Sequence, residues 1–255
     1  MLDYDGLKEA LLNHLNAILS EGRHPELLKI ISYEDFCTWF QHFHLFNEGG
    51  LKTIFFHVGK DFLSDFFKIS PSEAERLIEF DTKVKGEAVK PRDKDEHYFK
   101  PDVSYYNPHN KEQPIVLIEV CQTWEDLRKK LEKYAKATYS DPRPLLVFAG
   151  LGFTNTGCKK TVQRWGMSER LLREDGALIP FKEELRRCLN LYGEMDEKPV
   201  LLMGLTFIFW WYYNEKSKQV MLRPLKHPLW QGFNENLLRE LPCLLYTSPS
   251  PRDRG

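Results

Sequence analysis

Apolar residues recur at Leu7, Leu11, Leu12, Leu15, Ile18 and Leu19 with polar residues between them, and this spacing predicts a helix over 7–19. Residues 33–67 are dense in Phe and are broken by Glu48-Gly49-Gly50, which predicts two or more helices around a turn. Ser70-Pro71-Ser72-Glu73 has capping-box spacing with proline at the first helical position. A helix is expected to start there, carry Leu77, Ile78 and Val84 inward, and bear Glu79 and Asp81. Strand-favouring residues then fill 98–106 and 114–121, with the turn chemistry of Asn107-Pro108-His109-Asn110 between them. Leu127, Leu131, Tyr134 and Ala135 share one face of a helix predicted over 125–138, Asp141-Pro142 ends it, and 145–149 reads as a buried strand. Further along, 168–175 and 181–192 suggest helices, each followed by a glycine (Gly176, Gly193). The runs 200–213 and 219–225 suggest a hairpin across 214–218.

Composition narrows the function classes. Lys plus Arg (36) nearly equals Asp plus Glu (37), so a globally basic nucleic-acid binder is excluded and any such contact must be local. The stretch 83–100 is charged and apolar-poor, and reads as an exposed loop whose Lys83, Lys85, Lys90, Arg92 and Lys94 form one candidate phosphate-facing patch, with acids interspersed. The five cysteines have no regular spacing, so neither a zinc site nor a disulfide framework is indicated. The acidic start lacks an apolar signal core, and the longest apolar run, 200–213, is too short for a membrane helix. The expectation is an intracellular protein, cytoplasmic or nuclear, with no membrane partner.

Chemistry concentrates in the centre. Along the strand Ile115-Val116-Leu117-Ile118-Glu119-Val120, side chains alternate, so Ile115, Leu117, Glu119 and Cys121 share a face and Glu119 interrupts an apolar row. A buried acid needs a cation, a donor or a metal. Asp102, after Pro101, opens the preceding strand and is expected at the same sheet edge. Two acids at neighbouring strand ends with an ammonium from an adjacent helix suit divalent-metal phosphodiester hydrolysis, because hard cations take oxygen ligands. Without a cation the acids are expected to repel, so removing one charge is expected to stabilise the metal-free protein.

Pro101-Asp102, the Glu119-Val120-Cys121 strand end and the helix from Asp126 to Tyr134 together resemble the PD-(D/E)XK nuclease superfamily. Glu-Val followed by a helix with Asp, Lys and Tyr is similar to the restriction-endonuclease-like Uma-type family. The Pro-Asp, Glu and helix-borne Lys arrangement also resembles cap-snatching endonucleases of segmented negative-strand RNA virus polymerases. The resemblance covers about residues 72–150 and implies a mixed sheet flanked by helices and nucleic-acid hydrolysis with Mg²⁺ or Mn²⁺. The chain departs from the pattern where Cys121 stands in place of the motif lysine. Either the lysine comes from the helix or the site is catalytically dead. At about 100° per residue, Lys130 borders the Leu127/Leu131 face while Lys129 and Lys133 point outward. Asp102, Glu119 and Lys130 are therefore the candidate catalytic residues, with Asp102, Glu119 and Glu79 as metal ligands and Glu75 as the substitute for Glu79. Arg128, Lys129 and Lys133 are candidate nucleic-acid contacts. By analogy with the viral relatives' metal-binding histidine, His57 is the nearest counterpart, with His42 and His44 as rivals, although packing roles suit all three.

The expected fold is α/β, a restriction-endonuclease-like mixed sheet flanked by helices. Residues 1–71 form a helical N-terminal segment, 72–152 the nuclease-like core, and 153–242 a helical and β-hairpin extension. Residues 243–255 contain Cys243-Leu244-Leu245-Tyr246-Thr247-Ser248-Pro249-Ser250-Pro251-Arg252-Asp253, which resembles a translated sequencing-library adaptor, so this tail is expected to be non-native. The expected function is metal-dependent cleavage of DNA or RNA. Two alternatives stand beside it: a catalytically degenerate fold acting as a nucleic-acid or protein interaction module, and the N-terminal endonuclease piece of a viral polymerase.

Overall fold

The computed structural model describes residues 2–19, 29–32, 48–85, 88–91, 98–121, 124–151, 187, 190–191, 195, 199–205, 209–217 and 219–224. Within them lie helices α1 (Tyr4–Leu19), α2 (Glu48–Phe67), α3 (Pro71–Glu75) and α4 (Trp124–Ala135). The first strands are β1 (Lys29–Ser32), β2 (Ile78–Phe80), β3 (Val89–Lys90), β4 (Val103–Asn107) and β5 (Asn110–Cys121). They are followed by β6 (Thr138–Tyr139), β7 (Leu145–Leu151), β8 (Val200–Leu205), β9 (Phe209–Asn214) and β10 (Gln219–Pro224). The main sheet has eight strands in the order β1-β10-β9-β8-β7-β5-β4-β2, and β3 pairs with β6 apart from it. The pairs β5/β7 and β7/β8 are parallel and the others antiparallel, so the sheet is mixed.

Alternation along β5 and β7 divides two cores. Val116, Ile118 and Val120 of β5, with Leu145, Val147 and Ala149 of β7, join Leu7, Leu11 and Leu15 of α1 and Phe55, Val58 and Phe62 of α2. On the other face Tyr134 of α4 packs its ring on Phe99 and Phe148. Leu127 and Leu131 are fully buried beside it, each worth about 2 kcal/mol of apolar transfer. Because β7 is covered on both sides, its sequence reads as a continuous apolar run.

Several sequence expectations change here. The capping box at Ser70 forms as expected, with Ser70 and Glu73 bonded reciprocally. The helix, however, stops at Glu75, and Ile78–Phe80 forms a strand against β4, so Glu79 lies on a strand and not on a helix. Ladder bonds to β4 outweigh the local helical pattern. Glu48-Gly49-Gly50 is helical, the first turn of α2, and is not itself a turn; residues 33–47 before it lie outside the described residues. The strand expected over 98–106 begins only at Val103. The segment 83–100 is not wholly exposed, since Val84, Ala88, Val89 and Phe99 are buried. The single run 200–213 contains two strands, β8 and β9, and these continue the main sheet. The hairpin across 214–218 is present between β9 and β10. The helix expected over 168–175 lies outside the described residues, whereas Arg187, Asn190 and Leu191 are helical.

Gly204 faces Trp211 across the β8/β9 ladder, and a Cβ there would meet the indole at 2.2 Å. Trp211 is itself fully buried and has no room to retreat. Gly204→Ala is expected to cost about 1–3 kcal/mol of stability by overpacking. Urea denaturation that left the midpoint unchanged would contradict this packing.

Candidate active site at the end of β5

Pairing of Val103 with Ile118 carries the ladder one step further to set Asp102 opposite Glu119, on the face covered by α4. Both acids are buried, 8% and 7% exposed. Asp102 Oδ2 accepts the Val120 N–H at 2.7 Å and the Lys130 ammonium at 3.0 Å, and Oδ1 meets Lys52 at 2.9 Å. Glu119 Oε1 accepts the buried Tyr134 hydroxyl at 2.7 Å, while Oε2 meets Lys130 at 2.9 Å. Lys130 also donates to the Val120 carbonyl at 2.9 Å. Three oxygens, Asp102 Oδ2, Glu119 Oε2 and Val120 O, thus converge on one cation position held by an ammonium.

The electrostatics follow from burial and these partners. Burial pushes the Glu119 carboxyl up to about 7, with Lys130 only partly offsetting it. Burial also opposes the charge of Asp102, but Lys130, Lys52 and the Val120 N–H hold its carboxyl below its usual value. For Lys130 burial disfavours the charge, yet the facing acids hold the ammonium well above the ordinary lysine range. The Cys121 thiol is buried and pushed far up, so it stays neutral and cannot replace a lysine. The expected repulsion between the two acids is present, since Asp102 adds to the upward push on Glu119, but the two ammoniums among them offset it. Removing the charge of Asp102 takes a partner from both lysines and does not relieve the fold, whereas burial makes the charge of Glu119 costly above its folded value.

Lys130 reaches both acids, as its helical angle predicted, whereas the other candidates go elsewhere. Lys129 pairs with Glu125 and Arg128 with Glu132, both one turn along α4. Arg128 and Lys130 project from opposite flanks of that helix, so they cannot line one groove. Lys133 sits over the Phe99 ring at 4.8 Å. Glu79 lies on the same sheet face but opposite Ser104, where Thr82 and Lys85 hold it. Among the described residues no group of three or more His, Cys, Asp or Glu side chains is placed to hold a metal, so Glu79 does not complete the pair. Glu75 is exposed on α3, and His57 is exposed on α2 with its ring edge against Phe56. His42 and His44 lie outside the described residues.

Sequence reasoning missed Lys52 and the Val120 carbonyl, put Asp81 on a helix, and gave Asp126 no role in the site. Lys52 comes from α2, which packs on the opposite face of the sheet, and bridges Asp102 to Asp81 at 2.9 Å from each. Asp81 follows β2 with φ 49° and donates its backbone N–H to the Asp102 carbonyl. Asp126 Oδ2 lies 3.9 Å from Lys130, one helical turn before it. No family model matches the chain, and no curated protein does. Among solved structures, the YaeQ protein from Xanthomonas axonopodis pv. citri is similar at 11% identity over 66% of this chain and 78% of that one. Its TM-score of 0.17 leaves that likeness without weight for fold or function. No helix among the described residues is long and apolar enough to cross a membrane.

Proposed function

We propose that this chain is a metal-dependent nuclease with a restriction-endonuclease-like core, hydrolysing phosphodiester bonds in nucleic acid. The supporting observation is the convergence of Asp102 Oδ2, Glu119 Oε2 and Val120 O on a single cation position at one sheet edge. Three hard oxygens from a rigid strand end suit Mg²⁺ or Mn²⁺, so these residues fit the ion that the reading requires. When bound, such an ion supplies Lewis acidity and a more acidic water.

The protein's own groups do the positioning. The Val120 N–H holds Asp102 Oδ2 itself and Tyr134 fixes Glu119 Oε1, so Asp102 Oδ2 and Glu119 Oε2 keep their aim. Lys130, tethered by α4, steadies the attacking water or the charge that develops on the phosphate. A second reading, a degenerate fold serving as a nucleic-acid or protein interaction module, draws on Cys121 and on the donors that already occupy all four carboxylate oxygens.

Incubation with mixed DNA and RNA separates the two. A nuclease cleaves in Mn²⁺ or Mg²⁺ and stops in EDTA. Absence of cleavage with both metals and both nucleic acids, together with no metal-induced rise in melting temperature, would favour the module.

A further inference from the structure

Each site lysine joins a buried carboxylate to a more exposed one. Lys52 spans Asp102, whose side chain is 11% exposed, and Asp81, at 54%. Lys130 spans the buried pair and Asp126, at 36%. Lys130 occupies the carboxylate oxygens that a divalent cation would need, and Lys52 holds the other oxygen of Asp102, so at such short range in a low-dielectric cleft both ammoniums repel an entering cation strongly. Binding must therefore move the ammoniums. Lysine has a flexible four-carbon stem, so a short displacement needs no backbone change. Both outer acids are already beside the ammoniums that would have to move.

Given the metal-site reading, on which this rests, we propose that Asp81 and Asp126 are positioning residues that receive Lys52 and Lys130 when a divalent cation binds, and so set the site's cation affinity. An ammonium driven off Asp102 keeps a carboxylate partner at the mouth of the cleft and is spared transfer to water. Asp81 is fixed for this task by its left-handed backbone and by its N–H bond to the Asp102 carbonyl. Asparagine tolerates that conformation best after glycine, so Asp81→Asn removes the charge and leaves the turn.

The test is calorimetric titration of the full chain with Mn²⁺ alone, at pH 8 and without nucleic acid. Asp81→Asn and Asp126→Asn are each expected to weaken binding about fivefold, within the coupling seen for residues of one ion-pair network. Lys52→Met should tighten it by a similar factor. The decisive comparison is the double variant: with Lys52 gone, Asp81→Asn should have no further effect. Simple attraction of an exposed acid for the ion would leave its effect intact in that background, and that result overturns the inference. Should Lys52→Met fail to fold, the Asp81→Asn loss measured in about 0.5 M KCl decides, because a contact mechanism persists where distant attraction is screened. Unchanged affinity in both Asn variants refutes the role of the outer acids and leaves the metal site standing. No Mn²⁺ binding by the wild type or any variant removes both.

Discussion

Asp102→Asn is expected to lower turnover of a nucleic-acid substrate roughly a thousandfold in Mn²⁺, since losing a charged ligand forfeits several kcal/mol of charge stabilisation at the reacting phosphate. Glu119→Gln should behave alike. Asp102→Asn also has a structural cost that the register alone does not suggest. Asp102 accepts from Val120 and from two lysines. An amide offers a single acceptor oxygen, so one buried donor is left poorly matched at a cost of about 1–3 kcal/mol. Thermal unfolding in EDTA should therefore move to lower temperature. A variant with full cleavage would remove Asp102 from the catalytic group, and one with a raised melting temperature would contradict the lysine-bridged geometry.

Lys130→Met is expected to destabilise the metal-free protein by about 3 kcal/mol at pH 8, because removing one partner of a buried ion pair leaves the other charge uncompensated. The deficit should shrink in acid. Glu119 has a folded value near 7, above its usual 4.5, so its protonated form favours the fold and stability drains away as pH rises through that interval. Without Lys130 the shift grows, and the gap between variant and wild type widens from pH 5 to pH 8. At pH 5 Glu119 is neutral and Asp102 still holds Lys52, so less than half of the loss should remain. Asp102 behaves oppositely: its depressed value adds stability above the ordinary aspartate range, which is lost only in stronger acid. Urea titrations at pH 5 and pH 8 with equal deficits would sink this account.

The central unit was legible because its signals were local or periodic. A buried acid in an apolar strand, an aspartate after proline and a lysine at a known helical angle can be located by counting residues. Asp102, Glu119 and Lys130 came together for that reason. Lys52 was invisible because no spacing rule links a helix on one sheet face to an acid on the other. Asp81 was misplaced because β2 has only three residues, too few for alternation to show, while the capping box before it announced a helix without fixing its length. The apolar run 200–213 concealed a strand boundary for a different reason. Gly204 looks like an interruption but lies inside β8, where the facing tryptophan requires it.

The outermost ladder, β1 against β10, joins an early segment to the last strand described in chain order. Its formation encloses almost every other element in one loop, and such pairings raise contact order and wait for the centre of the sheet to assemble. The β4–β5–α4–β7 unit is made of near neighbours and supplies the natural nucleus. Asp102, Glu119 and Lys130 would thus meet before the sheet is complete, and Lys52 would join them when α2 packs. In stopped-flow kinetics, weakening the β1/β10 edge should speed unfolding while leaving the folding rate almost untouched, and a matching drop in folding rate would place that edge in the nucleus instead.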